Sequence, residues 1–389
     1  MSSTRNTYLP FGAPSFSDVE IAAVTRVLRS GWVGQGPETA AFEKELAAFN
    51  GAQHAVAVNS CTSALFLALR ALGVGPGDEV IVPSLTWCNT ANAALYLGAT
   101  PVFCDVEMDT MAASPATIAA ALTEKTRAVM HVHYGGLAGD MAALRAALPE
   151  SVAIVEDAAH ALGAAYPDGS PVGSSGNLVC FSFYANKNLS TGDGGAVVVN
   201  DPELAERVRR GGHQGLQSDA WKRFTHPLAA LTPGIGELGY KMNFTDLQAC
   251  IGRVQLHRQR EFHQRRLALA DFYRTQLKST ALGIVFQQDL THPGHARHLF
   301  VIRLPVAEMV ISRNDLLLEL RARNIGASIH YAPLHTMPIY QLHVRGRLPN
   351  SETLMQDILT LPFGVSITDA DAGYVTDNLI DCIHKARRA

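Results

Sequence analysis

Uninterrupted apolar runs alternate with helix-like segments through the first half of the chain. That alternation constrains the fold more than any other feature. "HAVAVNS" is followed by a helix over 63–72, "DEVIVPS" by "TANAALYLG", "TPVFCDV" by "SPATIAAAL", and "TRAVMHVHYGG" by "DMAALRAAL". "VAIVEDAAH", "LVCFSFYA" and "GAVVVN" supply further strands. Strands that are apolar throughout, without alternation, are those covered by helices on both faces of a mainly parallel sheet. The fold class is therefore α/β. Two helices precede the alternation. One has Ser17 and Glu20 as a capping box and Gly31 near its end; the other has Pro37 early and Gly51 after its end.

A chain of 389 residues can build two domains. The pattern predicts a large domain over 1–255 and a smaller α+β domain over 256–389. Its elements are "ARHLFVIRLP", the helix "SRNDLLLELRARNIG" and "ASIHYA". From 211 to 241 periodicity lapses into glycine and turn residues, the mark of a functional or disordered stretch. The expectation is that it orders on substrate binding.

Several function classes are disfavoured. The net charge of −3 gives no global field for nucleic acid or an anionic membrane, and "RRGGH" and "HQRR" read as solvated helix faces. The start, "MSSTRNTYLPFGAPS", lacks the apolar core of a signal peptide, and no apolar run is long enough to span a bilayer. Six dispersed cysteines without a CxxC pair suggest reduced thiols in a cytoplasmic protein. His131 and His133 share one strand face but lack a third metal ligand at recognisable spacing. His133 is expected at the strand end that lines the site.

In such sheets ligands bind at the carboxyl ends of the strands. Four features fall there. In "NSCTSA" a strand passes into a helix whose free N–H groups suit a phosphate, although capping by Thr62 or Ser63 would also explain the residues. In "EDAAHA" Asp157 ends a strand, where a protonated pyridine nitrogen or a helix cap would satisfy it; His160 follows. Trp87 lies just past a strand end and offers either a stacking face or core bulk. Lys187 follows "VCFSFYAN", with Ser182 five residues earlier and the glycines of "STGDGG" after it. Desolvation would free its amine to form a Schiff base with an aldehyde. A phosphate cradle, a flat aromatic, a carboxylate and a lysine together are what pyridoxal 5′-phosphate (PLP) requires.

These residues stand in the order "NSCTSAL", "GDEVIVPSLTW", "GATPVFCDV", "HVHYGG", "EDAAHALGA", "FSFYANKN", "GDGG", "GYKMNFTDLQACIG". That series resembles the DegT/StrS-type nucleotide-sugar aminotransferases, which are fold-type-I PLP enzymes. The resemblance implies that Lys187 is the catalytic lysine that carries the cofactor and that Asp157 pairs with its pyridine nitrogen. It implies that Trp87 and His160 flank the ring and that Thr62, Ser63 and Ser182 contact the phosphate. It further implies that Asn243 reaches the phosphate in a partner subunit, so that the active form is a homodimer. Segments such as "PSLTWCNT", "HQGL" and "LTPGIGELGYKMNFTD" look most like C4 aminotransferases of UDP-sugars, with glutamate as donor and a 4-keto pentose or 4-keto-6-deoxy hexose as acceptor. The alternatives are a C3 aminotransferase, a PLP-dependent sugar dehydratase, which carries histidine where Lys187 stands, and a non-catalytic PLP-binding regulatory protein.

Overall fold

In the computed structural model the structure describes residues 5–216, 225, 234–290 and 292–387. Seven strands form the main sheet: β1 (His54–Val58), β2 (Glu79–Pro83), β3 (Thr100–Cys104), β4 (Thr126–Val132), β5 (Ala153–Asp157), β6 (Leu178–Ser182) and β7 (Gly195–Val199). Their order is β1-β7-β6-β5-β4-β2-β3. From β6 through β5, β4 and β2 to β3 every pairing is parallel; only β7 runs antiparallel, against β6 and β1. This is the mainly parallel sheet expected of α/β alternation. It places the carboxyl ends of six strands on one edge, with the start of β7 among them.

Helices cover both faces: α1 (Asp18–Ser30), α2 (Pro37–Phe49), α3 (Cys61–Ala71), α4 (Cys88–Leu95), α5 (Pro115–Ala119), α6 (Met141–Ala146), α7 (Pro202–Gly212) and α8 (Asp246–His257). The Ser17–Glu20 capping box starts α1, and Gly31 ends it in the left-handed region at φ 74°. Helix α3 is apolar nearly all round because it lies against β5, β6 and β7 on one side and against α4 and α7 on the other. Each sheet face has its own core. One holds Phe42, Val129, Phe181 and Phe244; the other holds Leu65, Val80, Cys180 and Val197.

A three-stranded sheet follows, β8 (Val285–Phe286), β9 (Val301–Arg303) and β10 (Ile358–Thr360), in the order β10-β9-β8. Helices α9 (Gln259–Lys278), α10 (Arg313–Ala322) and α12 (Asp369–Ala386) pack with it around Leu269, Tyr273, Phe300 and Leu316, and α11 (Pro349–Asp357) leads into β10. The N-terminal arm joins this core, where Leu9 bridges Ile325. Much of the glycine-rich stretch after α7, 217–224 and 226–233, lies outside the described residues. Its two ends pair with each other, His213 with Lys241 and Leu216 with Ile235. No helix among the described residues is long and apolar enough to cross a membrane.

Candidate active site

The strand ends enclose a cavity of about 410 Å³ whose wall includes Thr62, Trp87, Asp157, His160, Ser182 and Lys187. Six of the eight residues singled out from the sequence therefore meet at one place. The helix α3 begins two residues earlier than its apolar pattern suggests, because its cap is Ser60 and neither Thr62 nor Ser63. The Ser60 hydroxyl accepts from the Ser63 amide at 3.1 Å. Ser63 is thereby drawn into the helix start, donates to Asn59 Oδ1 at 2.7 Å and stands outside the cavity wall. Thr62 stays on the wall, where its hydroxyl accepts from Asn89 Nδ2 at 2.6 Å. The first amides of an eleven-residue helix thus face the cavity from one side, a site suited to phosphate. The start of β7 closes tightly against them. A Cβ at Gly195 would lie 2.5 Å from the Cys61 amide nitrogen, so only glycine fits.

Asp157 ends β5 almost fully buried. Its Oδ2 accepts from Thr90 Oγ1 at 2.8 Å and its Oδ1 from the Ala159 amide at 3.2 Å. Burial pushes this carboxyl above its usual range, with the Thr90 and Ala159 hydrogen bonds and the Lys187 charge opposing. A cationic partner at the free face of the carboxylate would remove that conflict. Lys187 follows β6 through a turn in which its own amide donates to Tyr184 O at 2.9 Å. Burial pushes its amine down to about 8, against the pull of Cys61 and Asp157.

His160 accepts from the Gly135 amide on Nδ1 at 3.3 Å, so its proton sits on Nε2, which donates to the Tyr331 hydroxyl at 3.0 Å. Burial, followed by the Lys187 charge, keeps the ring neutral. Trp87 is not core. It is 57% exposed on the rim, with its ring 5.9 Å from that of Tyr331. Ser182 closes β6 on the wall. Asn243 is half-buried outside the wall, bridging Val58 at the end of β1.

His133 does not line the cavity. Successive side chains on a strand point to opposite faces, so Val132 takes the wall and His133 the other side. There its Nε2 meets Glu156 Oε2 at 2.7 Å, and Tyr166, Ser175 and Asn177 also donate to that carboxylate. Burial alone would raise Glu156, but these donors hold it below the usual carboxylate range. His131 stacks edge-on against His133 at 5.2 Å, and among the described residues no three metal-ligating side chains come together.

Sequence reasoning did not single out Asn89, Thr90, His298, His330 or Tyr331. The last three come from beyond β8, so no local spacing ties them to Lys187. The histidines and aromatics of "ASIHYAPLH" are the one signal that could have pointed to His330 and Tyr331.

The donor set fits PLP: a half-buried, partly desolvated amine, a buried carboxylate seeking a cation, flat rings, and a helix N-terminus with a glycine-only neighbour. The model of the DegT/DnrJ/EryC1/StrS aminotransferase family matches residues 14–380. The spore coat polysaccharide biosynthesis protein SpsC of Bacillus subtilis (strain 168) is 40% identical, over 99% of this chain and 100% of its own. A protein described as a sugar aminotransferase, Spr1654 of Streptococcus pneumoniae in its PLP form, superposes with a TM-score of 0.87 at 29% identity, over 97% of this chain and 99% of that one. DesI, solved with its TDP-sugar product, gives 0.86 at 30% identity, over 97% of this chain and 93% of that one. With the family match running almost from end to end and the cavity offering what PLP needs, the chain belongs to the DegT/DnrJ/EryC1/StrS aminotransferase family and is a PLP-dependent sugar aminotransferase.

Proposed function

We propose that the enzyme moves an amino group from glutamate to the C4 keto group of a nucleotide-linked sugar. The sugar is a UDP-linked 4-keto pentose or a 4-keto-6-deoxy hexose on UDP, GDP or dTDP. The observation that carries this reading is that the half-buried Lys187 and the buried Asp157 carboxylate share one cavity wall with the start of α3. The bound cofactor supplies an electron sink and carries the amino group between donor and sugar. Lys187 would hold it covalently, and its Nζ, once free, would take the proton from the donor's α-carbon and pass it to the cofactor side, acting as base and then acid. A desolvated amine suits that exchange, because it loses its proton at about 8 rather than at 10.5. Asp157 supplies the anion that keeps the pyridine nitrogen protonated, and Thr90 and the Ala159 amide fix its aim. His160 and Trp87 flank the ring. Thr62, Ser63 and Ser182, with the α3 amides, hold the phosphate, Ser63 through its place in the first turn. Asn243 serves the cofactor of a second subunit.

Regiochemistry and the nucleotide rest on the resemblance of "PSLTWCNT" and "HQGL" to C4 aminotransferases of UDP-sugars, and on DesI, which was solved with a TDP-sugar. Lys187 disfavours the dehydratase reading, which needs histidine there. The test is a panel of nucleotide-linked 4-keto and 3-keto sugars with glutamate, scored by the amino sugar formed, with Lys187→Ala as control. Amination at C4 is expected, with no turnover in the control. Product from 3-keto sugars only would overturn the C4 assignment.

A further inference from the structure

His298, just before β9, stands outside the cavity wall against Lys187 and has no part in the roles above. It is 2% exposed, and its Nε2 lies 3.5 Å from Lys187 Nζ. The tautomer of its ring follows from its neighbours. Asn188 donates from Nδ2 to the Ala296 carbonyl at 3.0 Å, which turns its Oδ1 toward His298 Nδ1 at 3.1 Å. A carbonyl oxygen only accepts, so Nδ1 carries the proton and Nε2 presents a lone pair to the lysine. Asn188 is itself fixed by Gln259, whose Nε2 donates to its backbone carbonyl at 3.0 Å. The titratable and charged groups facing His298 are Lys187, His160, Arg266 and His330, and none of them is an anion. Burial, followed by these groups, holds the ring neutral.

We infer that His298 is a positioning residue for amino transfer: held in the Nδ1–H form by Asn188, it accepts a hydrogen bond from the free Lys187 amine and keeps that amine aimed into the cavity. The inference rests on the reading of Lys187 as the proton carrier. A lysine stem has four rotatable bonds, and once released its amine would sample many positions. Misplacement of a reacting group by about 1 Å can cost ~10²-fold in rate. Because the contact uses an N–H of the amine, it leaves the nitrogen lone pair free for the donor's proton. A purely structural role for His298 would lie in its ring, which packs on that of His160 with centroids 4.5 Å apart.

Two substitutions separate these roles. His298→Phe keeps a flat ring and loses the acceptor; His298→Gln loses the ring and keeps an acceptor. The holoenzyme is mixed with glutamate in a single turnover and followed by the near-visible absorbance of the cofactor. His298→Phe is expected to slow the transfer by ~10–100-fold while the half-saturating glutamate concentration stays within about twofold, and His298→Gln to recover part of the rate. A wild-type rate in His298→Phe, or a loss in His298→Gln at least as large, would overturn the inference. Ring ¹⁵N–¹H correlation spectra of the wild-type protein, with His298 assigned by its loss in His298→Phe or His298→Gln, give a readout that packing does not move. They should show the proton on Nδ1, and a proton on Nε2 overturns the inference whatever the rates of the variants. Lys187→Ala is run alongside. If it transfers normally, the lysine reading itself fails; if it is inactive while His298→Phe is normal, only the present inference falls.

Discussion

Lys187 is a cation placed where charge is expensive. Burial is the largest influence on its amine and favours the neutral form, while Cys61 and Asp157 favour the charged one; burial prevails and the amine falls from 10.5 to about 8. Only the neutral amine attacks an aldehyde. Capture of PLP by cofactor-free protein, followed by absorbance, should therefore speed up roughly tenfold per pH unit below about 8 and level off above it. A rate still climbing tenfold per unit at pH 10 would mean that the lysine is solvated. The same shift sets a sign for stability. Between about 8 and 10.5 the unfolded chain binds more protons at this residue, so its burial opposes folding less as pH rises through that window. His160 and His298, both kept neutral by burial, show the same economy of charge around the amine.

Helix α2 shows how an element can depend on a distant residue. Its N-cap is Gly36, which offers no side-chain acceptor. Asp246, the first residue of α8, caps it instead: Oδ1 accepts from the Gly36 amide at 2.8 Å, from the Thr39 amide at 2.9 Å and from the Thr39 hydroxyl at 2.7 Å. Asp246 also lies three residues after Asn243, so the cap ties α2 to the segment that carries Asn243. Asp246→Ala should destabilise the protein by ~2 kcal/mol, since it removes a cap and leaves buried donors unpaired. The check is a lower denaturant midpoint with unchanged slope. A midpoint within experimental scatter of wild type would show that water replaces the carboxylate without loss.

At the scale of the whole molecule, the cavity mouth bears exposed aromatic surface. Trp87 is 57% and Tyr184 51% exposed, and Ile235 and Leu238, before Asn243, are 71% and 76% exposed. Apolar surface of this kind fits a second copy of the chain. On the proposed shared-site homodimer, each site takes Lys187 from one chain and Asn243 from the other. Subunits bearing Lys187→Ala, mixed and re-equilibrated with subunits bearing Asn243→Ala, should regain activity, because one site of each mixed dimer carries neither lesion. Recovery of up to half the wild-type activity per mixed dimer is expected if the sites act independently. No recovery, with mixed dimers verified by mass, would assign Asn243 to its own chain's cofactor.

The strands and their mainly parallel arrangement were legible in the sequence, because apolar strands buried on both faces and helices with Ser, Thr and Pro starts are local signals; the strand order and the antiparallel β7 were not. The sequence also placed Asp157 at a strand end and Lys187 just past one, since in a parallel sheet the carboxyl end of a strand can be read directly from the run that precedes it; that β6 stops at Ser182 was decided by the structure. Tertiary structure decided the rest. The choice of Ser60 over Thr62 or Ser63 as the α3 cap depends on how β1 delivers the chain to the helix. Whether His133 faces the cavity depends on strand register, and the buried Glu156 carboxylate holds it on the opposite side. The contact of His298 with Lys187, and of Tyr331 with His160, joins segments that share no local pattern. Hydrogen bonds between such segments exist only once the chain has packed, so no spacing in the sequence announces them.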